Sequence, residues 1–415
     1  MRLFFWIVLW SLLLGLLVRV PIGGAGILAM DFLMVGFGSL WLWKKIAIER
    51  KLPAFPLPLI FWIFLGWGLI TFLHGAIHLD LMEKIVSFSH LMRLFFAGIF
   101  GWAAYDLYQN SDPQKFFRPL WWLIFIWLVL GFVQYFFIPN LIQYSTEGGF
   151  DPHMGRLLGT WMDPNFFGGF VGFLSPVILA LFYDTREKKW LWLFLLALVA
   201  LFLTFSRSGY LSAIAGLLIF LWFRDRKIIS IGILCVIIGI FYSPRAQERL
   251  VELWGTMKAV VMQDTNEVDP TASLRIQSWM KTLKFAEKNL WMGIGYNTYR
   301  YRAAQEGLID SSFFSAGGSD SSHLNILVTM GIPGLILFLL LWGQIFWRSF
   351  RVFWVKKSTL FLGFCGGWVS LFFHSFFVNS LFFPLIFLPV LAILGVFMAR
   401  DKEQGTSIKI ESGKL

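Results

Sequence analysis

The sequence predicts an all-α fold: a polytopic membrane helical bundle with about 12 transmembrane helices and one long periplasmic loop carrying surface helices. Three observations carry that expectation. The 415 residues are 58% hydrophobic and 14% charged, against roughly 45–50% and about 25% in soluble domains. Apolar runs of about 20 residues, the length that crosses a bilayer core, recur along the chain. Lys and Arg gather between alternate runs, which is the asymmetry that orients a membrane protein.

The expected spans lie at about 3–19, 25–43, 57–73, 88–107, 119–138, 166–183, 190–205, 208–223, 228–243, 324–347, 359–377 and 381–399. The first follows Met1-Arg2 and has the length of a signal peptide. It lacks a small-residue cleavage site and a second apolar run follows at once, so it is expected to be retained. One set of loops holds Lys44, Lys45, Arg50 and Lys51; Lys115 and Arg118; Arg186, Lys188 and Lys189; Arg224, Arg226 and Lys227; and Arg348, Arg351, Lys356 and Lys357. The opposite short loops hold only Arg19, Lys84, Arg156 and Arg207. The first set is therefore expected in the cytoplasm, with both termini inside. The net charge of +11 follows from this arrangement and gives no support to a nucleic-acid partner.

The chain divides into N-terminal membrane helices over 1–243, with an outer loop at 139–165; a large outer loop over 244–323; C-terminal membrane helices over 324–399; and a cytoplasmic tail over 400–415. Within the large loop, residues 271–290 show apolar spacing near 3.6, with Thr271 or Ser273 as N-cap, and read as an amphipathic surface helix. Gly293 to Tyr296 (GIGY) breaks it. Cys235 and Cys365 both lie in apolar runs, which argues against a disulfide framework or a zinc site.

Four motifs fall on the expected outer face. Gly155-Arg156-Leu157-Leu158-Gly159-Thr160 precedes Asp163-Pro164-Asn165 at a helix start. Ser206-Arg207-Ser208-Gly209 forms a turn between two spans. Arg275 lies on the loop helix. Ser319-Asp320-Ser321-Ser322-His323-Leu324-Asn325 leads into a helix with Gly331-Ile332-Pro333-Gly334. Arginine stays charged and offers a planar fork to phosphate oxygens. A departing polyprenyl diphosphate carries charge that fixed cations stabilise. Histidine can take a proton from a hydroxyl near neutral pH. Helix N-termini at Asn165 and after His323 favour anions. The pattern fits a diphosphate-linked substrate and calls for no metal or cofactor.

On these motifs the sequence resembles the O-antigen ligase and O-antigen polymerase superfamily of bacterial membrane glycosyltransferases, most strongly over 155–220 and 270–340. The resemblance implies transfer of a glycan from undecaprenyl diphosphate to a lipid or glycan acceptor at the periplasmic face of the inner membrane, with inversion at the sugar and without a metal. It implies Arg207 and Arg275 on the diphosphate and His323 as base, with Arg156 as a further diphosphate or structural residue. Two departures stand out. The family often places Asn directly after the His, where this chain has Leu324 and then Asn325. A Glu common a few residues on is replaced by Thr329 or Met330.

Each residue also has a plainer reading. Arg207 could snorkel from an interfacial turn, Arg275 could be a solvated charge on a loop helix, and His323 could be a buried polar residue. Asp163 and Asn165 could simply cap a helix. Arg93 and His90, near the outer end of the fourth span, could face the same cavity. His74, His78, His153 and His374 read as interfacial or packing residues, and Asp31 as an acid at or near the outer interface. Two rival classes compete. A metal-dependent glycosyltransferase would use an early acidic pair such as Asp80 and Glu83. A transporter would show repeats and mid-membrane charges, whereas here the prominent charges collect at one face. Ligase and polymerase share a donor and differ in acceptor. The long outer loop with its surface helix leans towards ligase.

Overall fold

The computed structural model describes residues 1–22, 25–55, 58–112, 114–142, 153–229, 270–309 and 317–412, with single positions 247, 251 and 254. The expected span at 228–243 lies outside these beyond its first two residues, as does most of 244–269.

The described residues are overwhelmingly helical. Helix α1 (Arg2–Trp10) continues as a 3-10 turn to Leu13. The chain then forms an antiparallel hairpin of β1 (Arg19–Ile22) and β2 (Ala25–Leu28). The expected first span at 3–19 is therefore not one straight helix. The break is at Gly15, whose φ is +54° and where a Cβ would lie 2.2 Å from the Thr160 carbonyl oxygen. The next amide, Leu16 N–H, donates to that same oxygen at 2.9 Å. A distant loop thus replaces the helix's own hydrogen bonding.

There follow α2 (Ala29–Trp43), α3 (Leu59–Ala76), α4 (Leu81–Tyr108) and α5 (Gln114–Phe137). Asp80 and Glu83, the acidic pair a metal-dependent enzyme would use, form a reciprocal cap on α4. Glu83 N–H donates to Asp80 Oδ1 at 2.8 Å, and Asp80 N–H to Glu83 Oε2 at 3.0 Å. Next come α6 (Pro164–Thr185), α7 (Lys188–Leu203) and α8 (Arg207–Arg224). The outer-loop helices are α9 (Pro270–Glu287) and α10 (Tyr299–Gln305). Helix α9 is the surface helix expected at 271–290, but Thr271 and Ser273 lie within its first turn rather than ahead of it. The chain ends with α11 (Ser322–Lys356), α12 (Thr359–His374) and α13 (Pro384–Ser412).

Helices α3, α4, α5, α6 and α11 are long and apolar enough to cross a membrane, while α1, α12 and the 384–400 part of α13 are apolar but shorter. The chain is a helical membrane protein. Helix α3 keeps Leu59, Ile70 and Leu73 exposed, as a lipid-facing surface requires.

The tightest packing joins α6, α8 and α12. Small residues permit it, as is usual where no water drives helices together. A Cβ on Gly216 of α8 would lie 2.5 Å from the Gly366 carbonyl oxygen of α12, and one on Gly366 would lie 2.6 Å from that of Gly216. Helix α6 runs through the middle and is buried from Phe167 to Leu181. Close contact along these helices fixes their ends, and Asn165, Arg207 and His374 stand at one common end.

Helix α11 is broken at Gly331, whose φ is +69° and ψ is −173°. A Cβ there would meet the Trp291 carbonyl oxygen at 2.2 Å. The loop through GIGY repairs the break. Ile294 N–H donates to Val328 O at 2.9 Å, Gly295 N–H to Thr329 O at 3.1 Å and Ile332 N–H to Leu290 O at 2.7 Å. Trp67 Nε1 donates to Met330 O at 2.9 Å. Broken backbone at membrane depth survives only with such replacement partners. The short segment 322–330 that results carries His323 and Asn325.

Candidate functional site

The turn between α7 and α8 is held from the 155–160 loop. Arg156 Nε donates to Thr204 O at 2.8 Å and Nη2 to Phe205 O at 3.3 Å. Leu157 N–H donates to Leu203 O at 2.9 Å. A cation over the last carbonyls of α7 is favoured by the helix dipole. Gln134 of α5 fixes the loop in turn, its Oε1 accepting from Leu158 N–H at 3.0 Å and Gly159 N–H at 3.1 Å. Burial lowers the Arg156 pKa; Asp163 opposes the shift, and the charges of Arg275 and Arg207 add to it. A guanidinium begins so high that it stays charged. These interactions put Arg156, Arg207 and Arg275, from three distant segments, in one electrostatic neighbourhood.

A chain of polar contacts runs through the same place. Asp163 caps α6, its Oδ1 accepting from Asn165 N–H at 2.6 Å and Phe166 N–H at 3.2 Å. The Asn165 side-chain oxygen accepts from Ser206 Oγ at 2.9 Å. Ser206 Oγ accepts from Gly209 N–H at 3.2 Å, which caps α8, and lies 3.2 Å from Ser208 Oγ. Ser208 Oγ lies 3.4 Å from His374 Nε2. His374 is fully buried and acts electrostatically with Arg275. The sequence reading placed His374 among packing residues. The structure puts it beside Ser208 and in the electrostatic neighbourhood of Arg275. The one signal available beforehand was its place near the outer end of a predicted span.

His323 sits at the first turn of α11, whose N-cap is Ser321. Its Nε2 lies 2.9 Å from Ser375 Oγ. That hydroxyl also donates to Phe372 O at 2.6 Å, so its single proton is committed and it accepts from Nε2–H. Donation from Nε2 to this hydroxyl leaves the lone pair on Nδ1, and the ring also bonds to the Phe372 backbone. The ring stacks on Phe376 at 4.0 Å and meets Phe372 and Phe338 edge-on. The polar partner of the ring, Ser375, comes from another helix end. Ser322 ties the loops together, its Oγ accepting from Leu381 N–H at 3.2 Å. Asn325 Oδ1 has no hydrogen-bond partner among the described residues.

Arg275 lies on helix α9. One turn further on, the Trp279 ring lies 6.4 Å from that of Phe377. The 375–383 loop also stacks Phe383 on Phe166, beside Asn165, at 4.0 Å.

Arg93 is placed elsewhere. Its Nε donates to Asp31 Oδ1 at 2.7 Å and its Nη2 to Asp31 Oδ2 at 2.5 Å. Nη2 also reaches Gly26 O at 3.2 Å, and Nη1 lies 3.3 Å from His90 Nδ1. This forked ion pair ties α4 to the start of α2, where Asp31 also accepts from Leu28 N–H at 2.9 Å. Arg93 belongs with Arg300, which acts with it on His90, and Arg300 acts in turn on Arg19. Arg300 is a buried cation absent from the sequence-based set; burial lowers its pKa, and Tyr301 opposes the shift. Among the described residues, no group of three or more His, Cys, Asp and Glu stands together as a metal site would need.

Residues 192–339 match a family model described as O-antigen ligase. That stretch contains Arg207, Arg275, His323 and Asn325, and excludes Arg93, Arg156 and Asn165. No curated protein matches the chain. The resemblance seen in the motifs therefore holds where three of its four elements lie: over residues 192–339 the chain carries the sequence pattern of the O-antigen ligase family.

Proposed function

We propose that this protein is an O-antigen ligase-like membrane glycosyltransferase of about 12 spans, working at the periplasmic face of the inner membrane without a metal. It moves a glycan from undecaprenyl diphosphate to a hydroxyl of lipid A–core or another surface molecule. The carrying observation is the electrostatic grouping of Arg156, Arg207 and Arg275 at the shared end of α6, α8 and α12. Planar guanidinium forks collected at one place suit the oxygens of a diphosphate, and a lipid-linked diphosphate supplies them.

In this reading the acceptor oxygen attacks the anomeric carbon from the side opposite the diphosphate. The new C–O bond forms as the bond to the diphosphate breaks, so configuration inverts. The acceptor proton passes to His323 Nδ1. The departing diphosphate keeps the bonding electron pair, and Arg207 and Arg275 neutralise its growing charge. Arg156 braces the turn that presents Arg207. The N-terminus of α6, capped by Asp163, adds its dipole.

The test is transfer by the purified protein from a polyprenyl-diphosphate glycan, with lipid A–core offered as acceptor. Glycosylated lipid A–core is the expected product. Lengthening of the donor glycan alone would mean a polymerase. A donor left intact with every acceptor overturns the proposal.

A further inference from the structure

The loops at 317–321 and 375–381 meet over the outer segment of α11. Ser322 N–H donates to Ser375 O at 2.9 Å, and Ser321 Oγ to the same oxygen at 3.4 Å. Among the described residues, three buried side-chain oxygens at this seam have no hydrogen-bond partner: Ser319 Oγ, Asn325 Oδ1 and Asn379 Oδ1. Ser319 is 1% exposed and Asn325 8%. The two amides face one stretch of backbone. A Cβ on Gly318 would lie 2.7 Å from Asn325 Oδ1 and 3.1 Å from Asn379 Nδ2.

Buried polar groups are nearly always paired, so orphans gathered in one place need a reason. The three side chains are uncharged, which suits a neutral ligand better than the diphosphate, whose counter-charges stand at Arg207 and Arg275. Amide and hydroxyl groups both donate and accept, and so do the hydroxyls of a sugar. The place is also apt, because Ser375, whose carbonyl oxygen joins the two loops at this seam, also meets the His323 ring through its hydroxyl. A sugar held at the seam would lie against the same loop contact that holds the proposed base. Gly318, which lacks a side chain, lies over the Asn325 amide.

We infer that Ser319, Asn325 and Asn379 form a neutral subsite for carbohydrate hydroxyls beside His323. The inference rests on the transferase reading for its substrate class, and its test separates the two. Phosphate-free hexose and N-acetylhexosamine oligosaccharides are offered to the full-length protein in detergent, and binding is read by saturation-transfer NMR. Wild type binds at least one. Asn325→Ala and Asn379→Ala each weaken that binding about fivefold to tenfold, the scale of one neutral hydrogen bond. Arg207→Ala leaves it unchanged, and none of the subsite variants alters binding of inorganic diphosphate. If Asn325→Ala fails to fold, Asn379→Ala and Ser319→Ala carry the measurement. In the transfer assay, a raised KM for donor or for acceptor tells which glycan occupies the subsite. No oligosaccharide binding by wild type, or equal binding by the variants, overturns the inference and leaves a buried water as the occupant. Oligosaccharide binding lost in the variants, with no transfer by wild type from any diphosphate donor, keeps the subsite and removes the transferase.

Discussion

Ser375 Oγ lies 2.9 Å from His323 Nε2, and the residue before it, His374, reaches Ser208 Oγ at 3.4 Å. The end of α12 therefore touches both halves of the site. One side chain meets the helix that carries the proposed base, and its neighbour meets the turn that carries Arg207.

The first prediction concerns that contact. His323→Ala should lower transfer by about 100-fold to 10,000-fold, the usual worth of a positioned base, with lipid-linked donor accumulating in cells. His323→Gln should not rescue, because an amide cannot accept the proton. Ser375→Ala should lose less, since the ring keeps its aromatic packing but loses the partner that sets its tautomer. Activity should fall as pH drops far enough to protonate the imidazole, because only the neutral ring is a base. Transfer by His323→Gln at the wild-type rate would reduce the histidine to a packing residue.

Arg207→Ala and Arg275→Ala should each remove most activity, about 100-fold or more, because a fixed charge that stabilises the leaving group is lost. Lysine should restore only part, being a point charge without the fork. Steady-state transfer kinetics decide the matter, and full activity in either alanine variant takes that residue out of the site.

Arg156 should behave differently. Its Nε and Nη2 are spent on Thr204 O and Phe205 O, so Arg156→Ala leaves helix-end carbonyls without a donor. Loss of hydrogen bonds from a charged group costs about 1.5–3 kcal/mol. A lowered melting temperature in detergent should accompany the lost activity. Lost activity with unchanged melting would instead make Arg156 a direct diphosphate ligand.

Gly216→Val tests the packing that gathers the site. Its Cβ would fall 2.5 Å from the Gly366 carbonyl oxygen, backbone that cannot move aside alone. Overpacking of this kind costs about 1–3 kcal/mol. Thermal unfolding should show it, and transfer should weaken although the substitution lies some two turns of α8 from Arg207. A variant with wild-type melting and activity would mean that α8 and α12 can separate without harm.

Orientation gives a last prediction. Reporters fused after Glu306, in the large outer loop, and after Lys356 should read opposite sides of the membrane, because basic clusters at 224–227 and 348–357 hold the flanking helices inside. The same side for both contradicts the topology on which the outer-face site depends.

Much of this was legible in the sequence for simple reasons. Apolar run length marks helices in lipid without regard to what they touch, so α3, α4, α5, α6 and α11 were readable from composition. Asp163-Pro164 announces a capped helix start, and the structure has that cap. Gly-Ile-Pro-Gly signals irregular backbone, and α11 breaks at Gly331. The motifs singled out Arg207, Arg275 and His323 because charge is conspicuous on a face where it is scarce.

What sequence could not decide were matters of partner. Arg93 looks like Arg207 in sequence, each a lone cation near the outer face. Only packing shows that one is clasped by Asp31 and the other shares a neighbourhood with Arg156 and Arg275. His374 looks like filler in an aromatic run until α12 settles against α6 and α8. The tautomer of His323 depends on Ser375, which lies 52 positions away. The physical reason is the range of the forces involved. Hydrophobic transfer and helix capping act on a residue and its near neighbours in the chain, so sequence alone fixes the elements. Hydrogen bonds and ion pairs between segments need contact within a few ångströms, and only the packed helices bring that about.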